Sequence, residues 1–132
     1  MKNFKKWSIF LILVLFGTTV LAQDTISEPS QWPQAPYRLF RTRNIWTFIE
    51  LDTITGRMWQ IQFSVQDGGS RGGTILNSRD LAVGREQIPG RFTLHPTSNM
   101  WTFILHDQID GRTWQVQWSN EAVNRFVVPL LQ

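Results

Sequence analysis

The chain has 132 residues, with 13 Lys plus Arg against 10 Asp plus Glu, a formal net charge of +3, and no cysteine. All three lysines (Lys2, Lys5, Lys6) lie at the extreme N-terminus, so the rest of the chain balances ten arginines with ten carboxylates. That balance removes the concentrated basic face a nucleic-acid partner requires. The missing cysteines exclude disulfides and a lipid anchor on a thiol.

The three lysines open a leader. Ile9 to Phe16 is an unbroken apolar run, and Val20-Leu21-Ala22 offers small residues at the two positions a signal peptidase reads. The apolar stretch from Trp7 to Ala22 falls short of the ~20 residues a spanning helix needs, so cleavage after Ala22 is expected, with no stable membrane span afterwards. An export signal without cysteine points to a bacterial envelope, with the protein periplasmic or secreted. Residues 23–36 (QDTISEPSQWPQAP) carry three prolines and read as an extended tether, in which Trp32 is the isolated aromatic.

The remaining chain is an internal repeat. Asn44 to Ser64 (NIWTFIELDTITGRMWQIQFS) and Asn99 to Ser119 (NMWTFILHDQIDGRTWQVQWS) agree at 13 of 21 positions with a displacement of 55 residues. Apolar residues alternate with period two in each copy: Trp59, Ile61 and Phe63 in the first, Trp114, Val116 and Trp118 in the second. This is the pattern of a half-buried strand. Asp52-Thr-Ile-Thr-Gly56 and Asp107-Gln-Ile-Asp-Gly111 place Asp before a four-residue turn and Gly at its end.

With that loop, Glu50 faces Trp59, Phe48 faces Ile61 and Trp46 faces Phe63. The second copy gives Leu105/Trp114, Phe103/Val116 and Trp101/Trp118. Tyr37-x-Leu39 and Phe92-x-Leu94 add a strand before each hairpin, and the Ile75 region and Phe126-x-Val128 add one after. The expected fold is all-β. Two antiparallel meanders of three to four strands (repeats 37–77 and 92–132 of a single domain, 37–132) close around a pseudo-twofold axis into a small barrel or sandwich.

In that reading Trp46, Trp59, Trp101, Trp114 and Trp118 share the core face with Phe, Ile and Val. Gln60, Gln62, Gln115 and Gln117 line the other face, where an amide row could engage a protein backbone or glycan hydroxyls. Positions at which the copies differ are the other candidates. Glu50 beside Trp59 replaces Leu105, His106 replaces Leu51, His95 replaces Phe40, and Arg41 and Arg43 form a small basic spot. Two histidines without a spaced carboxylate or thiol make neither a metal site nor a triad. The Gly68-to-Gly73 loop lacks the lysine and helix of a phosphate loop. No catalytic set, metal site or cofactor is expected.

The second copy, Arg91 to Ser119, resembles small exported tandem-repeat β proteins of Bacteroides-type bacteria. These carry segments of the form P-T-x-N-M-x-x-F-I-L-x-D-x-x-x-G-R-x-W, which Pro96 to Trp114 matches. The resemblance implies export and repeat architecture and carries no activity or site residue.

The functional expectation is an exported, non-enzymatic binding or assembly module of a bacterial envelope. Its partner would be a protein or glycan met through Gln60, Gln62, Gln115, Gln117, Trp32, Glu50 or His106, and an oligomer is allowed. The alternatives are a hydrolase or glycan-processing enzyme using Glu50, and a structural subunit pairing through sheet edges.

Overall fold

The computed structural model describes residues 34–131; the leader, most of the tether and Trp32 lie outside the described residues. Among the described residues, eight strands form two antiparallel meanders. The first is β1 (Tyr37–Arg41), β2 (Thr47–Asp52), β3 (Met58–Gln62) and β4 (Gly72–Asn77); the second is β5 (Phe92–Pro96), β6 (Thr102–Asp107), β7 (Thr113–Gln117) and β8 (Phe126–Leu130). Each meander is a four-stranded sheet in sequential order. The sheets stay separate, so the choice between barrel and sandwich falls to the sandwich. Among the described residues, no helix is long and apolar enough to cross a membrane.

The hairpin register is the expected one: Glu50 opposes Trp59 and Phe48 opposes Ile61, while Leu105 opposes Trp114 and Phe103 opposes Val116. The turns explain why. Gly56 and Gly111 take φ of 79° and 74°, a left-handed geometry that only glycine adopts cheaply. Their N–H groups donate to the Asp52 and Asp107 carbonyls at 2.9 and 2.8 Å. The Asp52 carboxylate accepts from the N–H groups of Ile54 and Thr55 and from the Thr55 hydroxyl, and so pins the loop.

The packing of the two sheets departs from expectation. In the second sheet the aromatic side faces inward: Phe103, Leu105, Trp114, Val116 and Trp118 are buried. In the first sheet the opposite side faces inward: Thr47, Ile49, Leu51, Met58 and Gln60 are buried. A twofold relation would bring equivalent residues together at the junction. Here unlike faces meet, aromatic on amide, so the two copies are not related by a twofold.

One cluster unites Ile49, Leu51 and Met58 of the first sheet with Phe92, Leu94, Phe103, Leu105, Trp114, Val116, Trp118 and Val127 of the second. Each such side chain contributes about 1.5–3 kcal/mol of transfer free energy, so this mixed junction is what stabilises the domain.

The linker 78–91 fixes the stacking. It lies across the first turn, where Leu81 N–H donates to the Thr55 carbonyl at 2.7 Å and Gly90 N–H to the Thr53 hydroxyl at 2.9 Å. The Phe92 N–H then bonds the Thr53 carbonyl at 2.9 Å. Thr53, Thr55 and Gly56 are buried beneath it, and a Cβ at Gly56 would meet Leu81 at 3.0 Å. Elsewhere the sheets are tied by Arg79 to the Val127 carbonyl at 3.0 Å and Arg43 to the Ser98 carbonyl at 2.8 Å.

Candidate functional site: an open aromatic sheet face

Because the first sheet buries its amide side, its aromatic side is left open. Across the strands, Leu39, Glu50, Trp59 and Ile75 stand in one row, and Arg41, Phe48, Ile61 and Gly73 in the next. Trp46 and Phe63 extend it with an edge-to-face contact at 5.5 Å between ring centroids. Leu39 is 45% exposed and Phe63 39%, whereas their counterparts Leu94 and Trp118 are 3% and 0% exposed. Ile75, at the edge, is 61% exposed. A contiguous apolar surface of this kind on a folded domain is the usual mark of an interaction site.

The sequence placed Trp46 and Trp59 in the core; they belong to this open face, Trp46 exposed and Trp59 half-buried. The glutamine face divides in a complementary way. Gln60 is 2% exposed and lies inside, its Oε1 without a hydrogen-bond partner, as is the buried Thr47 hydroxyl. Gln60 is therefore removed from the surface binding set. Gln62, Gln115 and Gln117 are half-buried, and the latter two sit on the outer side of the second sheet with Thr102, Ile104, His106 and Thr113. His95 and His106 lie side by side there, with tilted rings 5.9 Å apart between centroids.

Glu50 stands within the open aromatic face, not at a rim. Its cross-strand neighbours are Leu39 and Trp59, and the next carboxylate on that side, Asp52, is committed to its turn. No group of three or more His, Asp or Glu arranged to hold a metal occurs among the described residues.

The chain carried a signal for the open face that reading the copies as equivalents hides. Polar replacements in copy one (Glu50 for Leu105, Arg41 for Pro96) fall on the aromatic side. Those in copy two (His106 for Leu51, His95 for Phe40, Thr113 for Met58) fall on the amide side. In each copy these polar replacements fall on the side that meets solvent.

A second feature is duplicated. A crevice of about 300 Å³ lies between Trp46, Gln62, Phe63 and Ser64 and the following loop, and one of about 340 Å³ between Trp101, Gln117, Trp118 and Ser119 and its loop. Both combine indole, amide and hydroxyl. A hollow of about 580 Å³ between the linker and β8 contains Arg79 and Arg112. Both guanidiniums are engaged, with the Val127 carbonyl and with Asp107.

The densest group of charges is structural. Asp107, fully buried, accepts from Arg91 at 2.9 Å and Arg112 at 2.7 Å, and Arg91 also reaches Asp110 at 2.6 Å. Arg85 of the linker pairs with Asp110 as well. Asp107 and Arg112, which flank the second turn, thus belong to a buried network, whereas Arg57 at the equivalent place in the first copy donates to the Ser78 carbonyl. Burial alone would push the Asp107 carboxyl up. The Arg91 and Arg112 hydrogen bonds, with the N–H groups of Asp110 and Ile109, together outweigh it and hold the group at about 2.

This value lies below the 3.8 of an unperturbed carboxyl. The stabilisation is therefore complete above the unfolded value and is lost as pH falls from 3.8 towards 2. It amounts to about 2 kcal/mol. Acid titration of unfolding stability is expected to show that loss in the wild type, and Asp107→Asn, less stable throughout, should flatten the profile. An unchanged slope in the variant would assign acid sensitivity to other groups.

None of the family models, curated proteins or solved structures compared with this chain matches it.

Proposed function

We propose that the protein is an exported, non-enzymatic binding or assembly module of a bacterial envelope, working through the open aromatic face of its first sheet. The observation that carries this reading is the contrast between copies. The side that copy two uses to build the core is turned to solvent in copy one, with Trp46, Phe48, Trp59, Ile61 and Phe63 retained. Keeping large aromatics in water costs free energy that covering them recovers, about 25 cal/mol per Å². Export rests on the leader pattern.

The test is capture from envelope extract by the leader-free chain, compared between wild type and Phe63→Glu/Ile75→Glu. The variant is expected to lose the captured species while keeping its cooperative melt. Equal capture by both would remove the face from function.

The duplicated crevice favours a second reading, a glycan partner, because indole stacking beside amide and hydroxyl groups suits a sugar. Tryptophan emission titrated with oligosaccharides should then shift, and Gln62→Ala/Gln117→Ala should abolish the shift. No shift across the panel counts against it. The hydrolase alternative rests on Glu50; among the described residues the next carboxylate on that side, Asp52, is held by its turn, where acid–base glycoside chemistry uses two.

A further inference from the structure

The junction inside the molecule is a template for one outside it. The internal junction joins the amide side of the first sheet to the aromatic side of the second. At one end of this stack an aromatic side faces solvent (Trp46, Phe48, Trp59, Ile61, Phe63); at the other an amide side does (Thr102, Ile104, His106, Gln115, Gln117, Val128). The two free surfaces are therefore repeat-equivalent to the two surfaces already buried against each other.

We infer that the open aromatic face takes a second copy of this chain, docked by the outer amide side of its second sheet. The inference rests on the assembly reading above and names the partner.

Three observations support this occupant. Continuity comes first, because the docking surface reproduces the aromatic-on-amide junction that the chain buries internally. The amide side also keeps apolar ground among its polar groups: Val128 and Phe126 are exposed and Ile104 half-buried, beside Gln115 and Gln117. The third is complementarity. Leu51 and Leu105, both fully buried in the internal junction, have His106 and Glu50 as counterparts on the two free surfaces. An imidazole would be offered on one side and a carboxylate on the other.

Because the two surfaces differ, the contact is heterologous. Each added copy presents a fresh aromatic face, so copies add until a ring closes or, where the rotation does not close, run on as a filament.

Sedimentation of the purified leader-free chain, which contains all eight strands, tests this without any extract. The sedimentation coefficient of the wild type should rise with concentration above that of the monomer. Phe63→Glu/Ile75→Glu blocks one surface and Ile104→Glu/Val128→Glu the other; each alone should run as a monomer. Mixed in equal amounts, the two variants should form a one-to-one complex and nothing larger, because each supplies the surface the other lacks.

Circular dichroism and a cooperative melt confirm that the variants fold. If Phe63→Glu/Ile75→Glu does not, Ile75→Lys alone at the exposed edge replaces it. A wild type that stays monomeric up to about 1 mM, where even weak interfaces are populated, overturns the inference. So does a dimer that persists when the amide side is blocked, or a variant mixture that fails to associate. Monomeric behaviour combined with face-dependent capture from extract would leave the binding module standing with a different partner. Loss of both would remove it as well.

Discussion

Arg91→Leu is expected to lower unfolding stability by about 3–5 kcal/mol, measured by urea denaturation at neutral pH. The guanidinium is 1% exposed and bridges Asp107 on β6 to Asp110 in the second turn. The linker residue Arg85 converges on the same Asp110. Association with Asp107 raises the Arg91 pKa, so the pair is held ionised. Removing the cation strands a fully buried carboxylate with only Arg112 and two backbone N–H groups.

A double variant, Arg91→Leu/Asp107→Leu, should cost less than the sum of its singles, because neither charge is left behind. A loss below about 1 kcal/mol for Arg91→Leu would mean that water reaches Asp107 and that the network is not what seats the linker on the second sheet.

The second large effect concerns equivalent positions with unequal costs. Trp118→Ala should cost about 3–5 kcal/mol, since its ring is fully buried, packed at a tilt against Trp101 with centroids 4.5 Å apart, and its Nε1–H donates to the Met100 carbonyl at 3.0 Å. Phe63→Ala, at the same place in copy one, should cost less than about 1 kcal/mol, as an exposed side chain does.

On the other side of the sheets the order reverses. Leu51→Ala, fully buried, should cost about 2–5 kcal/mol, and His106→Ala, half-buried on the outer surface, less than about 1. Four melts therefore report which face of each sheet is inside. Equal costs within each pair would restore the twofold arrangement.

Much of the fold was legible in the chain. Period-two alternation, Asp and Gly at the two turn ends, and the 55-residue repeat together give the strands, the hairpins and their register, and each is borne out at Glu50/Trp59 and Leu105/Trp114. Those features are local. An alternation shows that a strand has two unlike faces, and a turn sequence sets which residues pair across it.

The candidate site was legible only in part. Glu50 and His106 stood out as places where the copies disagree. Trp46, Trp59 and Gln60 lie on the opposite side from the one their alternation predicts, because identical residues in the two copies meet different surroundings. In the structure Gln60 is enclosed and Gln115 is half-open, with the same side chain on the same face of its own sheet.

The strands, their pairing and the existence of an aromatic and an amide side were thus determined by the sequence alone, since each depends on residues within one hairpin. Which side lies inward was decided by tertiary structure. That choice depends on how the linker 78–91 crosses the first turn and is clamped to the second by Arg91 and Arg85. The geometry sets one sheet's aromatic side on the other's amide side. A sheet with two partly apolar faces can bury either, and only the partner it meets selects one.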